Sequence, residues 1–384
     1  MNPNANYHYM KQLFCYISSA NLLLNFDHNM KKKKILYICG SLNQTTQMHK
    51  ISNELQEYDA YFTPYYSQGY WYIEFTSKFG LMDFSILGGQ AKQNTLKYLK
   101  VNNLNLDDEG KRNDYDLVFT CSDMLIPKNI RDKKIILVQE GMTDPENWGY
   151  HLAKKFNFPR WLGGTSTTGI SNNYEIFCVA SEGYKDLFVS KGVDTERIVV
   201  TGIPNFDNCA QFLENDFPHK GFVLVATSDM RETFKLENRR KFIEKAVNIA
   251  SGKQIIFKLH PNENYERALN EINKYAPGSI VFQKENIDPM IANCDVLITR
   301  FSSVVYIGLA LGKEVYSDFD LEELKKLLPL QNGGTSATSI ANIAKKILEN
   351  TENSSVFYVN KEKTFTKRIK DRLRIRKRLA RIKN

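Results

Sequence analysis

Short apolar runs alternate with helical stretches along most of the chain, and this alternation is the strongest constraint on its fold. The first group of runs is rich in β-branched residues and comprises 35–39, 117–120, 135–138, 176–180 and 198–200. The second group comprises 222–226, 255–259, 280–282, 296–299 and 314–316. Continuous runs of this kind are typical of buried parallel strands, and their alternation with helices indicates βαβ units. The sequence therefore predicts an α/β protein with two Rossmann-like, doubly wound domains facing across a cleft.

The same pattern predicts the domain boundaries. We expect an N-terminal domain over residues 31–205, a polar linker at 205–220, and a C-terminal domain over 221–350 that ends in a helix near 339–350. Residues 1–30 precede the first strand and lack the basic and long apolar regions of a signal peptide, so we expect a disordered extension there. The last 24 residues, 361–384, form a separate tail.

The tail has a net charge of +10, which exceeds the +9 of the whole chain. It holds twelve of the 52 Lys and Arg residues but only two of the 43 Asp and Glu residues, so the rest of the chain is nearly neutral. Apolar residues recur in it at helical intervals, at Phe365, Ile369, Leu373, Ile375, Leu379 and Ile382. A basic amphipathic helix suits an anionic membrane surface. The alternatives are a solvated tail and nucleic-acid binding, and no nucleic-acid motif in the body of the chain supports the latter.

Composition excludes several classes of protein. No run of 18 apolar residues is present, and none of the six cysteines forms a C-x-x-C pair. A membrane span, a zinc ribbon and a disulfide framework are therefore not expected. With no signal peptide and no cysteine framework, we expect a cytoplasmic protein without a cofactor or a required metal.

Three motifs follow strands of the second domain. Ser302 and Ser303 come after the run 296–299 at the start of a predicted helix, His260-Pro261 follows 255–259, and Thr227-Ser228 follows 222–226. Hydroxyl, imidazole and backbone N–H donors at the carboxyl ends of neighbouring strands suit one phosphate-bearing nucleotide. Each also has a structural alternative: Ser302 as a helix cap, His260 as a surface residue, and Thr227-Ser228 as a capping turn.

Arg300 and the Asp-x-Asp pairs add further alternatives. Arg300 precedes the serines and is a candidate ligand for a phosphate or a sugar carboxylate, or a salt-bridge residue. Asp114 with Asp116 and Asp318 with Asp320 have the spacing of metal ligands. A capping box from Asp320 to Glu323 explains the second pair better, so no metal site is predicted.

Acceptor-side candidates lie in the first domain. Gly40 and Ser41 follow the first strand, and Glu140 and Asp144 follow the run 135–138. Thr165 belongs to a Gly- and Thr-rich stretch, 163–169, that is either an acceptor loop ordering on binding or a mobile connection. All of these positions are expected to face the cleft.

The order of these motifs resembles GT-B glycosyltransferases. An acidic-Gly motif at Glu140-Gly141, a His-Pro motif at 260–261 and a Ser-Ser motif at 302–303 are similar to those of bacterial sialyltransferases and Kdo transferases. The resemblance implies that Glu140 is the general base and that His260 and the serines bind the donor phosphate. In this chain the first of two expected acids is Gln139, which leaves one carboxylate.

Other GT-B groups resemble the chain less completely. The CDP-glycerol polymerases of teichoic acid synthesis share a Leu-His-Pro segment and a Ser-Ser segment, but Asp-Tyr is replaced here by Arg300-Phe301. UDP-GlcNAc 2-epimerases share the fold and part of the segment before Pro204.

The resemblance implies an inverting, metal-independent transferase of surface polysaccharide or lipopolysaccharide assembly. It would use a CMP-linked sialic acid or Kdo donor and a glycan or lipid-linked acceptor, on the inner face of the membrane. The alternatives are a CDP-glycerol or UDP-sugar transferase, a UDP-sugar 2-epimerase, and a non-catalytic scaffold.

Overall fold

The structure is a computed structural model. It describes residues 32–80, 85–156, 158–228, 230–232, 236–300 and 302–349. The predicted N-terminal extension, 1–30, and the predicted basic tail, 361–384, lie outside the described residues.

The first domain is built on a six-stranded parallel sheet with the order β2-β1-β3-β4-β5-β6. Its strands are β1 Lys34–Cys39, β2 Asp59–Pro64, β3 Leu117–Thr120, β4 Ile135–Val138, β5 Ile176–Val179 and β6 Ile198–Val200. Its helices are α1 Leu42–Asn53, α2 Trp71–Lys78, α3 Gly89–Val101, α4 Trp148–Phe156 and α5 Glu182–Ser190. Short 3₁₀ helices lie at Asp108–Gly110, Lys128–Ile130, Arg160–Thr167 and Thr195–Arg197. The strand order reverses between β1 and β3, where doubly wound folds bind ligands.

The second domain contains a five-stranded parallel sheet with the order β11-β10-β7-β8-β9. Its strands are β7 Val223–Ala226, β8 Ile255–Lys258, β9 Ile280–Phe282, β10 Val296–Thr299 and β11 Glu314–Tyr316. Its helices are α6 Arg239–Ala250, α7 Tyr265–Tyr275, α8 Asp288–Asn293, α9 Val304–Ala310 and α10 Leu321–Lys326. Here the order reverses between β7 and β10. The two sheets confirm the predicted α/β architecture of two doubly wound domains.

The edge strand β2 was not predicted from the sequence. Only its last three residues, Phe62–Pro64, are buried, so it lacks the continuous apolar run of the inner strands. It also ends on a proline, which a central strand does not tolerate because proline donates no hydrogen bond. Since β2 lies at the sheet edge beside β1, neither feature disrupts the sheet.

The two domains share a continuous apolar core. Residues of both sheets pack into one cluster, and the Tyr184 hydroxyl of α5 lies 2.7 Å from the Tyr306 hydroxyl of α9 inside it. The Leu330 N–H donates to the Ala180 carbonyl at 2.9 Å. The predicted linker takes part in this packing, because its Phe206 and Cys209 are buried and Cys209–Leu213 forms a 3₁₀ helix. The stretch 205–220 is thus a packed connection between the two domains.

The closing helix, α11 Ser336–Glu349, packs on the first domain, whereas we had expected it in the second. Its buried face contributes Ile340 and Ala344 to the core that contains Ile35 of β1. The Lys134 ammonium also donates to the Ile347 carbonyl at 3.0 Å. Helical periodicity predicted the helix. It did not predict which sheet the apolar face of the helix covers, because that depends on the path of the chain.

This packing makes a prediction for Ile340→Ala. Truncating a fully buried isoleucine removes apolar contacts and leaves a cavity, so we expect the free energy of unfolding to fall by about 2–5 kcal/mol. Urea denaturation measures the loss, and amide hydrogen exchange should rise in β1 before β8. The exposed Asn342→Ala on the same helix is the control. Unchanged stability in Ile340→Ala, or faster exchange confined to β8, would contradict the placement of α11.

Candidate functional site

A polar cleft of about 240 Å³ lies where the carboxyl ends of the two sheets meet. Both domains line it, the first with Asn43, Glu140, Gly141, Met142, Thr143, Asp144 and Thr165, and the second with Ser302, Ser303 and Phe319. The walls are close together: a Cβ built on Gly141 would lie 3.7 Å from the Ser303 Cβ. The structure therefore brings Glu140, Asp144 and Thr165 together with both serines, as the sequence predicted for one cleft.

The Glu140 carboxylate is held by donors on both of its oxygens. Ser41 Oγ donates to Oε1 at 2.6 Å, and Gln44 Nε2 donates to Oε2 at 2.5 Å. Ser41 also caps α1 by accepting the Gln44 N–H at 3.1 Å, which fixes both donors relative to β1. A carboxylate has about four acceptor positions, so two remain for a proton or a substrate hydroxyl.

Gly40 supports this arrangement from behind and does not line the cleft. A Cβ at Gly40 would lie 2.2 Å from Gln44 Oε1, so a larger residue would displace the Gln44 side chain. The role predicted for Gly40 on the acceptor side is therefore indirect.

Gln139 fixes the turn that carries Glu140. Its buried side chain donates to the Gly141 carbonyl at 2.7 Å and accepts the Ala180 N–H at 2.9 Å. A carboxylate in its place could not donate to Gly141 unless protonated. The glutamine that departs from the acidic motif thus has a structural role in this chain.

Asp144 and Thr165 form a second polar group in the cleft. Thr165 Oγ1 donates to Asp144 Oδ2 at 2.7 Å and accepts the Asp144 N–H at 2.8 Å. Thr165 belongs to the 3₁₀ helix Arg160–Thr167, in the stretch that the sequence left open as an acceptor loop or a mobile connection. Gly149 of α4 makes this packing possible, because a Cβ there would lie 2.2 Å from the Leu162 carbonyl oxygen.

Ser302 and Ser303 are half-buried and lie between the end of β10 and the start of α9. Ser303 occupies the cap position of α9, but its side chain makes no capping hydrogen bond. Because α9 has only seven residues, the two hydroxyls matter more here than the helix dipole.

The other predicted donor residues follow strands at the carboxyl end of the second sheet but do not line the cleft: Thr227, Ser228, His260 and Pro261. They follow β7 and β8, so His260 is two strands away from the serines, or about 10 Å at the usual strand spacing. His260 Nδ1 accepts the Asn262 N–H at 3.3 Å, and a neutral ring then carries its proton on Nε2. Pro261 is exposed in the turn that follows.

A buried network supports these two turns. Glu263 accepts from the Thr227 hydroxyl, from the His260 N–H at 3.0 Å and from Arg239 Nη2 at 2.6 Å. Burial raises the pKa of Glu263, and the Arg239 charge opposes this shift. The Thr227 hydroxyl is thus engaged within the protein. The Ser228 hydroxyl is buried and has no hydrogen-bond partner among the described residues.

Arg300 takes the salt-bridge role that the sequence left open. Its Nε lies 2.6 Å from Asp318 Oδ2, and its Nη1 lies 3.7 Å from Glu237 Oε1. Asp320 caps α10 by accepting the N–H groups of Glu322 and Glu323.

The other Asp-x-Asp pair is also engaged: Asp116 accepts the Lys34 N–H and Asp114 pairs with Lys133. Across the described ranges, no cluster of three or more His, Cys, Asp or Glu side chains could hold a metal ion. None of the helices in that part of the chain is both long and apolar enough to cross a bilayer.

Sequence reasoning missed the residues that hold Glu140 in place. The sequence assigned no role to Asn43 or Gln44, yet Gln44 binds the carboxylate and Asn43 Nδ2 donates to the Glu140 carbonyl at 3.2 Å. The available signal was the position of Ser41 and Gln44 one helical turn apart, directly after β1. Phe319, which closes the cleft from the second domain, had no sequence signal.

Comparison with solved structures identifies this arrangement of two facing Rossmann-like domains as the GT-B fold. A putative UDP-N-acetylglucosamine 2-epimerase from Listeria monocytogenes aligns over 84% of this chain and 98% of its own, with a TM-score of 0.53 and 13% identity. The MnaA protein of S. aureus, solved with UDP, aligns over 83% and 97%, with a TM-score of 0.54 and 13% identity. At this identity the likeness shows the fold alone.

The wall teichoic acid polymerase TagF aligns over 84% of this chain and 90% of its own at 13% identity, with a TM-score of 0.46 that is too low to add to the argument. The sequence matches no family model and no curated protein.

The Glu263 network predicts a pH dependence. A carboxyl whose pKa is raised by folding stabilises the fold fully below its unfolded-state pKa, and that contribution is lost as the pH rises through the folded-state value. We therefore expect the wild type to lose more stability than Glu263→Gln as the pH rises above the ordinary value of 4.5.

Urea denaturation of both proteins from about pH 4 to about pH 7 measures the difference. The exposed Glu266→Gln, in the next turn of the chain, is the control and should follow the wild type. Parallel stability curves for the wild type and Glu263→Gln would contradict the raised pKa.

Proposed function

We propose that this chain is a glycosyltransferase that transfers a sugar from a nucleotide-activated donor to a hydroxyl acceptor. The observation that carries the proposal is the cleft that sets the fixed Glu140 carboxylate of the first domain against Ser302 and Ser303 of the second. A base and a set of phosphate donors on opposite walls are what transfer between two bound substrates requires.

Glu140 is the proposed general base. It takes the proton of the acceptor hydroxyl while that oxygen attacks the anomeric carbon, and the bond from this carbon to the donor phosphate breaks. The electron pair leaves with the phosphate oxygen. Because the attack comes from the face opposite this leaving group, the configuration at the carbon inverts. Ser41 and Gln44 hold the carboxylate in place and leave acceptor positions on it free. This lowers the entropic cost of placing the base beside the acceptor hydroxyl.

The leaving phosphate is stabilised by hydroxyl donors of the second domain. Ser302 and Ser303 line the cleft, and Ser228 and His260 follow neighbouring strands at the carboxyl end of the same sheet. The Ser228 hydroxyl has no hydrogen-bond partner among the described residues. Donors spread over about 10 Å suit a nucleotide that extends along this edge. Arg300 and Thr227 are engaged within the protein, so we assign them to support of the site.

Two neighbouring acids are less suited to act as the base. Asp144 lines the cleft, but one of its oxygens binds Thr165. Glu146 is exposed and does not line the cleft. We therefore propose that Asp144 and Thr165 orient the acceptor.

The nucleotide is a separate question from the reaction. The motif resemblance favours CMP-linked sialic acid or Kdo, whereas a structure with the same fold was solved with UDP. CMP and UDP are therefore the first two nucleotides to compare, with CDP third. A UDP-sugar epimerase is the second candidate, favoured by the fold shared with the putative 2-epimerase from Listeria monocytogenes, and it would convert its substrate without an acceptor.

We also propose that residues 361–384 hold the enzyme against the anionic inner face of the cytoplasmic membrane. Twelve basic residues there can attract anionic lipid at about 1 kcal/mol each near the surface. A lipid-linked acceptor of surface polysaccharide synthesis would be presented at that surface.

Glu140→Gln tests the base. The amide keeps the size of the side chain but cannot accept the acceptor proton, so turnover should fall at least about 100-fold. Release of nucleotide from CMP-, CDP- and UDP-activated donors, with bacterial membranes as acceptor, measures turnover, and calorimetry should show unchanged nucleotide affinity.

Glu146→Gln is the matched control, because it changes an exposed carboxylate six residues away. Normal turnover in Glu140→Gln would contradict the assignment of Glu140 as the general base. Conversion of a UDP-sugar to an isomer without membranes would replace the transferase by the epimerase.

Ser302→Ala and Ser303→Ala test the phosphate site. Hydrogen bonds to a charged group contribute roughly 1.5–3 kcal/mol, so each variant should weaken nucleotide binding by about tenfold or more. Calorimetric titration with CMP, CDP, UDP and GDP provides the dissociation constants. Ser279→Ala is the control, because Ser279 lies before β9, the outer strand on the other side of the sheet. Wild-type affinity in both cleft variants would contradict the assignment of Ser302 and Ser303 to the phosphate site.

A further inference from the structure

A second cavity, of about 500 Å³, lies in the first domain between α2 and the 3₁₀ helix Arg160–Thr167. Its volume falls within the roughly 300–1,000 Å³ of small-molecule sites. Aliphatic and aromatic side chains dominate its wall, among them Ile73, Leu87, Leu125 and Trp161. The proposed reaction uses none of these residues.

Three hydroxyl groups in this wall already have hydrogen-bond partners. The Tyr65 hydroxyl donates to the Leu125 carbonyl at 2.7 Å, and the Thr76 hydroxyl donates to the Ile73 carbonyl at 3.0 Å. The Ser85 hydroxyl accepts the Leu87 N–H at 3.2 Å. With these hydroxyls engaged, a base or a sugar bound here would recover few of the hydrogen bonds that it loses to water, which is costly, whereas a hydrocarbon chain loses none.

The cavity adjoins the polar cleft. Gly164 lines the cavity, and the next residue, Thr165, lines the cleft beside Asp144. A Cβ built on Gly164 would lie 3.4 Å from Asp144 Oδ2, so the two spaces are separated by little more than this segment. One ligand could therefore place a polar head at Glu140 and an apolar chain in the cavity.

Exposed aromatic side chains flank the cavity. Trp71, Phe75 and Phe79, in and just after α2, are 77%, 58% and 67% exposed, and Trp161 is 41% exposed on the other side. Clustered large apolar side chains on a surface mark a contact with a protein or a membrane. Arg131 stacks on Tyr70 at the start of α2, and Lys154 and Lys155 end α4 beside the 3₁₀ helix. Aromatic and basic side chains together suit an anionic lipid–water interface.

We propose that this cavity binds the hydrocarbon chain of a lipid-linked acceptor whose hydroxyl-bearing head lies in the cleft at Glu140. The proposal rests on the proposed transferase and names its acceptor class. The exposed aromatic side chains contact the membrane that holds the lipid, so the chain enters the cavity without crossing water.

Binding of cis-parinaric acid, a fluorescent chain-bearing probe excited at its own absorption band, tests the cavity in the full-length protein. The wild type should bind it saturably. Thr76→Trp and Met124→Trp each place a large ring in the cavity and should weaken binding at least tenfold. Ser77→Trp is the matched control, because it adds the same ring one residue away on α2 without lining the cavity. All variants should retain the wild-type affinity for the nucleotide that the unmodified protein binds.

The outcomes separate this inference from the proposed function. Nucleotide binding without probe binding in the wild type would contradict the proposed lipid site in the cavity but not the proposed transferase activity. Equal probe binding in Thr76→Trp, Met124→Trp and Ser77→Trp would place the probe on the exposed aromatic surface and also overturn the cavity. Probe binding without binding of CMP, CDP, UDP or GDP would contradict the proposed transferase. It would also contradict the proposal that the hydrocarbon in the cavity belongs to an acceptor.

Discussion

The shared apolar core between the two sheets is the constraint on which the site depends. Loops at the carboxyl ends of β4 and β10 belong to different domains, yet a Cβ built on Gly141 of one would lie 3.7 Å from the Ser303 Cβ of the other, because α5 and α9 pack together behind them. The hydrogen bond between Tyr184 and Tyr306 satisfies two hydroxyls that burial would otherwise penalise. The return of α11 to the first domain adds a second connection. A cleft held in this way has its two walls positioned before any ligand arrives.

The inner strands were predictable because parallel strands buried on both faces leave continuous apolar runs in the sequence. The edge strand β2 and the surface helices α2 and α3 were not, because they are partly solvated and their composition is mixed. The packed 3₁₀ helix at Thr165 was not predicted either: the sequence left its stretch open as an acceptor loop or a mobile connection. Its glycines allow close contact with α4, and sequence alone does not distinguish a glycine that permits packing from one that permits motion.

The candidate site divides in the same way. Glu140, Ser302 and Ser303 could be found because the ends of strands are visible in the sequence and short polar motifs follow them. Gln44 and Gln139 could not be assigned roles, because their importance lies in which atoms they reach across the sheet. Gln139 shows this most clearly: as a sequence feature it was a missing acid, and in the structure it bonds to two backbone groups that hold the acidic turn.

The two walls of the cleft differ in how far they are organised in advance. In the first domain both oxygens of Glu140 accept hydrogen bonds and Asp144 binds Thr165, so the proposed base and the groups proposed to orient the acceptor already have fixed positions. In the second domain Ser303 lines the cleft and its side chain makes no capping bond, so its hydroxyl can turn toward an incoming phosphate. Binding a charged nucleotide can order flexible hydroxyls because each bond to phosphate is strong. Proton transfer gains more from a base that is rigid beforehand, since its contribution depends on geometry at the moment of attack. Rigidity on the acceptor side and available donors on the other wall are therefore the distribution that a transferase of this kind requires.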